Sequence, residues 1–261
     1  MKQDIIRRLN KIMGIHDVHI IYACESGSRA WGFSSEDSDY DVRFLYAHPP
    51  EWYQSISVEH KRDVIEDTKD FPFDIVGWDI RKALKLLGKS NPQLIEWTRS
   101  PIVYMEDPGY KQFSLIIDRC FSQRKSMYHY INMSEHTRKT YLEGSHILLK
   151  KYFYAIRPLL ACLYMERVGN NIPTDFTTLV HTTLKPVTEA DLIHAIGKLW
   201  DEKTSGLEKQ MGPRIKVIDQ FIYEETKRLE AQNFTDTKLD MTLLDRTFRN
   251  ILHDSYNLAA V

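Results

Sequence analysis

Apolar residues recur at helical spacing in the first segment, where Ile5, Ile6, Leu9, Ile12 and Met13 oppose Arg7, Arg8 and Lys11. This predicts an amphipathic helix over residues 2–13. The next run, VHIIYAC at 18–24, is short and rich in β-branched and aromatic residues, and it enters the turn-prone cluster Glu25, Ser26, Gly27 and Ser28. It reads as a strand feeding a tight turn. A second strand is predicted at 40–46, where Tyr40, Val42, Phe44 and Tyr46 alternate with Asp41, Arg43 and Leu45. Period-two geometry puts Asp39, Asp41 and Arg43 on one face. A third strand is predicted at 73–78, followed by Asp79 at the N-cap position of the periodic run IRKALKLLGK. The polar stretch from Pro49 and Pro50 to Lys69 reads as a loop with a short strand near 56–59.

From about Ser114 the pattern changes to long helical runs: SLIIDRCFSQRKSMYHYINM, residues 140–168, ADLIHAIGKLWDEK and PRIKVIDQFIYEETKRLEAQ. Breaks are expected at Gly169, Asn170, Asn171 and Pro173, and again at Gly212 and Pro213. Pro108 and Gly109 mark the junction, so two domains are expected, at 1–112 and 113–261, the second nearly all helical.

Composition narrows the function classes. At 261 residues, with 43% hydrophobic and 27% charged residues, the chain has the profile of a folded globular protein. A formal net charge of -1 excludes the strong overall positive field of a non-specific nucleic-acid binder, so any such contact must come from a local patch. Cys24, Cys120 and Cys162 are widely spaced and lack the C-x-x-C pattern of zinc or redox sites. They fit a reducing compartment. Charges interrupt every apolar run of MKQDIIRRLNKIM, and no later segment is apolar long enough to span a bilayer, so a cytoplasmic location without membrane contact is expected.

The chemistry concentrates in ESGSRAWGFSSEDSDYDVR, residues 25–43. A glycine lets the backbone approach a phosphate, and successive amides in a turn entering a helix favour negative oxygen. Gly27 supplies that backbone, and Ser28 adds a hydroxyl donor. Asp39 and Asp41, two apart in an extended segment, point to the same side and repel unless a cation lies between them. Magnesium suits such a pair, because it takes oxygen ligands from one or two carboxylates together with substrate phosphates. A two-metal displacement site calls for a further carboxylate from another element. Asp74, mid-strand in FPFDIVGW, is the candidate, with roles in holding the catalytic metal and deprotonating the attacking hydroxyl. Asp79, nearby, more naturally caps its helix.

Gly27 and Ser28, then Asp39, Tyr40 and Asp41, then a later strand Asp resemble the DNA polymerase β-like nucleotidyltransferase superfamily. Within it, ESGSRAWGF, SDYDVRF, FDIVGWDIRKAL and KKYFYAIRPLLA resemble the RNA repair pathway DNA polymerase β family of predicted nucleotidyltransferases, over most of the chain. The resemblance implies an α+β fold, with an N-terminal mixed sheet and flanking helices followed by an all-helical C-terminal domain. It implies that Gly27 and Ser28 form the triphosphate turn, that Asp39 and Asp41 are paired metal ligands, and that Asp74 is the third carboxylate. Two Mg2+ ions, with Mn2+ as a substitute, and an NTP substrate such as ATP follow from it. RNA ends are the leading acceptor.

Arg29 and Arg43 flank the turn and the acidic pair, and could hold triphosphate oxygens or form internal ion pairs with the same aspartates. Lys82 and Lys89 could reach a nucleotide, although a solvated helix face is the simpler reading. In the helical half, Lys150, Lys151, Tyr152, Tyr154 and Arg157 could stack a base and contact phosphates. Core packing is the plainer role for the aromatics, which leaves Lys150, Lys151 and Arg157 as the functional candidates. The histidines show no metal-ligand spacing. Two alternatives stay open: nucleotidylation of a protein or small molecule, and a nucleotide-binding module without turnover. The sequence does not indicate the oligomeric state.

Overall fold

The computed structural model describes residues 1–35, 38–68, 70–205, 210–234 and 239–257. Lys69, where the predicted polar loop ends, lies outside them. In chain order the elements are α1 (Lys2–His16), β1 (His19–Glu25), α2 (Gly27–Trp31), β2 (Tyr40–Ala47), α3 (Pro50–Tyr53), β3 (Val64–Asp67), β4 (Phe73–Asp79), α4 (Ile80–Gly88), α5 (Pro92–Thr98) and β5 (Val103–Glu106). There follow α6 (Tyr110–Ser114), α7 (Ile117–Cys120), α8 (Gln123–Tyr141), β6 (His146–Leu148), α9 (Lys150–Arg167), α10 (Phe176–Thr183), α11 (Ala190–Thr204), β7 (Met211–Pro213), α12 (Lys216–Glu230) and α13 (Met241–Asn257). The fold is α+β, and no helix among the described residues is long and apolar enough to cross a membrane.

The chain forms two compact units. The first comprises residues 1–27, 39–121 and 238–261. Its mixed sheet has the order β3-β4-β2-β1-β5, in which β2 and β4 are parallel and the other pairs antiparallel. Alternation sorts β2 between two apolar layers. Val42, Phe44 and Tyr46 pack with Ile5, Leu9 and Ile12 of α1, while Leu45 and Ala47 face a layer containing Leu84 and Leu87 of α4, Trp97 of α5 and Ile251 of α13. Asp41 and Arg43 share the parity of Leu45 but lie at the start of the strand, beyond that apolar layer.

The second unit comprises residues 28–38 and 122–237. Its centre is α9, with Phe153, Ile156, Leu160 and Leu163 buried, packed beside α8 and α10. Ser134 of α8 donates to the Ala155 carbonyl at 2.8 Å. Residues 28–35 are anchored here by Phe33, whose ring lies 4.7 Å from Phe153, 5.4 Å from Trp200 and 5.7 Å from Phe176. Lys203 reaches Ser35 Oγ at 3.3 Å.

Several expectations are revised. Residues 56–59 form no strand: Ile56 is fully exposed, Val58–His60 is a 3-10 turn, and the strand falls later, at β3. The run beginning SLIIDRCF is not one helix, since Ile117 and Cys120 pack in the first unit and Ser122 then caps α8 by accepting from the Lys125 amide at 3.3 Å. Among the described residues the C-terminal half is mainly helical but contains the β6–β7 pair, which takes in Gly212 and Pro213 and interrupts the helical run at 140–168. The two compact units are each built from non-contiguous stretches of the chain. Residues 28–38 join the second unit, while α6, α7 and α13 pack with the first.

Candidate functional site

Strand β1 is buried almost throughout and ends in a buried carboxylate, Glu25. Its Oε1 accepts the Asp41 amide at 2.8 Å, its other carboxylate oxygen accepts the Tyr104 hydroxyl, and its carbonyl accepts Ser100 Oγ at 2.6 Å. Ser26 then donates its amide to the Asp41 carbonyl at 2.8 Å. The entry to the turn is thereby tied on both sides to the strand that carries the acidic pair. Sequence reasoning treated Glu25 only as a turn residue. Its signal was a carboxylate closing a largely apolar strand, where burial demands hydrogen-bond partners.

Gly27 follows with φ +59°, and a Cβ built there would stand 2.1 Å from Asp41 Oδ2. Only glycine meets both the left-handed backbone and the approach of that carboxylate.

Asp41 and Asp74 are register partners on the parallel strands β2 and β4. Arg43 Nη2 donates to Asp41 Oδ1 at 2.9 Å and to Asp74 Oδ2 at 2.8 Å, while Nη1 donates to the carbonyls of Asp74 at 2.8 Å and Val42 at 3.1 Å. One guanidinium therefore serves two carboxylates. Burial is the main cause raising the Asp41 pKa above its ordinary value; Arg43 opposes the rise, and Asp74 and Asp39 add to it. Asp39 is exposed, one residue before β2. Of the predicted site residues, Gly27, Asp41, Arg43 and Asp74 are brought together, with Asp39 two positions along the same strand direction.

Ser28 and Arg29 open the second unit. The Ser28 carbonyl accepts the Phe33 amide at 3.0 Å, and Arg29 Nη2 donates to the Ser38 carbonyl at 2.7 Å, so this arginine braces its own loop. Asp79 lies at the far end of β4 from Asp74. It accepts the Arg81 amide and the Tyr53 hydroxyl, each at 2.8 Å, as the N-cap of α4. Burial pushes its pKa up to about 6. Lys82 is paired with Asp63 at 2.9 Å. Arg157 is buried, with its guanidinium carbon 4.7 Å from the Trp31 ring, so it supports that ring and is not a surface contact.

Among the described residues no group of three or more His, Cys, Asp and Glu side chains is arranged to hold a metal ion by itself. Asp41 and Asp74 nevertheless offer carboxylate oxygens, and magnesium commonly takes one or two carboxylates with phosphate and water completing its shell. The raised pKa of Asp41 marks a position where added positive charge is welcome. The residues present fit magnesium that arrives with a triphosphate.

The model of the RNA repair pathway DNA polymerase beta family matches residues 1–250. The chain is also 44% identical over 258 residues to a Bacillus subtilis (strain 168) protein described as uncharacterized protein YcgL, with 97% of each chain covered.

Proposed function

The chain belongs to the RNA repair pathway DNA polymerase beta family, and from that premise we propose that it transfers a nucleoside monophosphate from an NTP to a hydroxyl, with an RNA end as acceptor. The observation that carries this reading is the in-register pair Asp41 and Asp74 sharing Arg43 beside the glycine turn. In the transfer, a bond forms between the acceptor oxygen and the α-phosphorus while the bond to the departing pyrophosphate breaks. Asp74 takes the acceptor proton. Gly27 leaves the backbone open to phosphate oxygens, with Ser28 adding its hydroxyl and Arg29 its charge next along the chain. Arg43 orients Asp41 and Asp74 and offers further charge to the triphosphate. Asp39, Asp41 and Asp74 would hold Mg2+ (Mn2+ as a substitute), which supplies charge neutralisation at the attacking and leaving oxygens. The buried, unpaired Cys24, Cys120 and Cys162 accord with a cytoplasmic setting.

Each labelled NTP should be offered with magnesium to RNA, protein and small-molecule acceptors, with pyrophosphate release followed in parallel. Label on RNA supports the reading. Label on another acceptor keeps the chemistry and replaces the substrate; no pyrophosphate with any acceptor removes the catalytic reading.

A further inference from the structure

The second unit carries a surface where two exposed tyrosines flank a lysine. Lys151 Nζ lies 3.9 Å from the centre of the Tyr141 ring and 5.1 Å from that of Tyr154. Tyr154 meets Trp31 edge-on at 5.5 Å, and the buried Arg157 supports Trp31 from within. Tyr141 and Tyr154 are 45% and 40% exposed, whereas their neighbours Tyr152 and Phe153 are wholly buried. The aromatic run of α9 thus divides between core and surface, and the surface members collect around a lysine.

We propose that Tyr141, Lys151, Tyr154 and Trp31 form a platform on which single-stranded RNA stacks its bases while Lys150 and Lys151 take its phosphates. The platform is a site distinct from the carboxylates, and its choice of RNA rests on the transfer reading above. Exposed rings beside a lysine match a single strand, whose unstacked bases accept any aromatic face. Charge points the same way. Burial, and then the neighbouring Lys150, lower the Lys151 pKa. The chain as a whole is near neutral, so a local patch is what such a partner requires. Trp31 ends α2, the same short helix that Gly27 begins, so the platform continues in sequence from the turn assigned to the triphosphate.

The test is binding of a short labelled homopolymeric RNA, followed by fluorescence anisotropy without NTP or metal, using the full chain. Tyr141→Ala and Tyr154→Ala should each weaken binding roughly tenfold. Lys151→Glu should weaken it at least as much and flatten the salt dependence by about one unit of slope. Trp31→Phe should lose the tryptophan quenching that RNA produces in wild type. Unchanged circular dichroism melts would show that these substitutions leave the fold intact. The proposal is overturned if wild type does not bind single strands, if it prefers duplex RNA, or if all of these platform variants bind and quench as wild type does. RNA binding without pyrophosphate release would sink the transfer reading and leave the platform standing. Pyrophosphate release with no effect of the platform variants would do the reverse.

Discussion

The carboxylate of Asp41 occupies the space that a side chain on Gly27 would need, with Oδ2 2.1 Å from the built Cβ position. The turn and the acidic pair are therefore one device, since the conformation of one fixes the position of the other.

Gly27→Ala should displace Asp41 and impose a left-handed backbone on a residue with a side chain, at about 1–3 kcal/mol of strain. Binding of a non-hydrolysable NTP with magnesium should fall sharply, and further for Gly27→Val. Ser28→Ala should be milder, because the backbone amides remain. Wild-type titration curves for Gly27→Val would remove the turn from the site.

The two carboxylates of β4 should separate cleanly. Asp74→Asn should abolish transfer while leaving the melting temperature near that of wild type, since its side chain is partly exposed and its partner Arg43 keeps Asp41. Asp79→Ala should lower stability by about 0.5–2 kcal/mol through the lost cap and leave the folded fraction active. Activity in Asp74→Asn with none in Asp79→Ala would reverse the assignment.

Asp79 also predicts a pH effect. Its folded pKa of about 6 lies above the ordinary carboxylate value of 3.8, so the native state holds this proton more tightly than the unfolded chain. Stability from this group is present below the ordinary value and is lost as pH rises through about 6, by on the order of 3 kcal/mol. Urea unfolding at pH 5 and pH 8 should show the last part of the loss, about 1.4 kcal/mol. Asp79→Asn keeps an oxygen for the cap and should remove it; an unchanged pH dependence in that variant would assign the effect elsewhere.

Arg43→Ala should leave Asp41 and Asp74 facing each other without a cation, costing roughly 1–3 kcal/mol without divalent metal. Added Mg2+ should restore more stability to this variant than to wild type. Equal magnesium responses would argue against metal binding at these carboxylates.

The elements nearest the site were legible in sequence because each is local: an apolar strand running into Gly27, the alternation of β2, and the cap at Asp79. What was missed depends on partners distant in the chain. The short strands β5, β6 and β7 are too brief for a periodic signal, and they are strands because β1 and each other supply hydrogen bonds. The pairing of Asp41 with Asp74 crosses strands separated by β3, so no spacing rule reveals the register or the guanidinium shared between them. Glu25 has the composition of a turn, and only burial shows that its carboxylate holds Asp41 in place. Arg157 has the composition of a surface cation, yet it lies beneath Trp31.

The central claim is that Asp41 works with Asp74 in nucleotidyl transfer, and the most direct measurement is label transfer from NTP to an RNA acceptor by wild type and by Asp41→Asn. Wild type should transfer only with divalent metal. Asp41→Asn should transfer none while remaining folded, and it should be as stable or more so near neutral pH, because the substitution removes a carboxylate whose ionisation burial opposes. Transfer by Asp41→Asn at the wild-type rate would contradict the account.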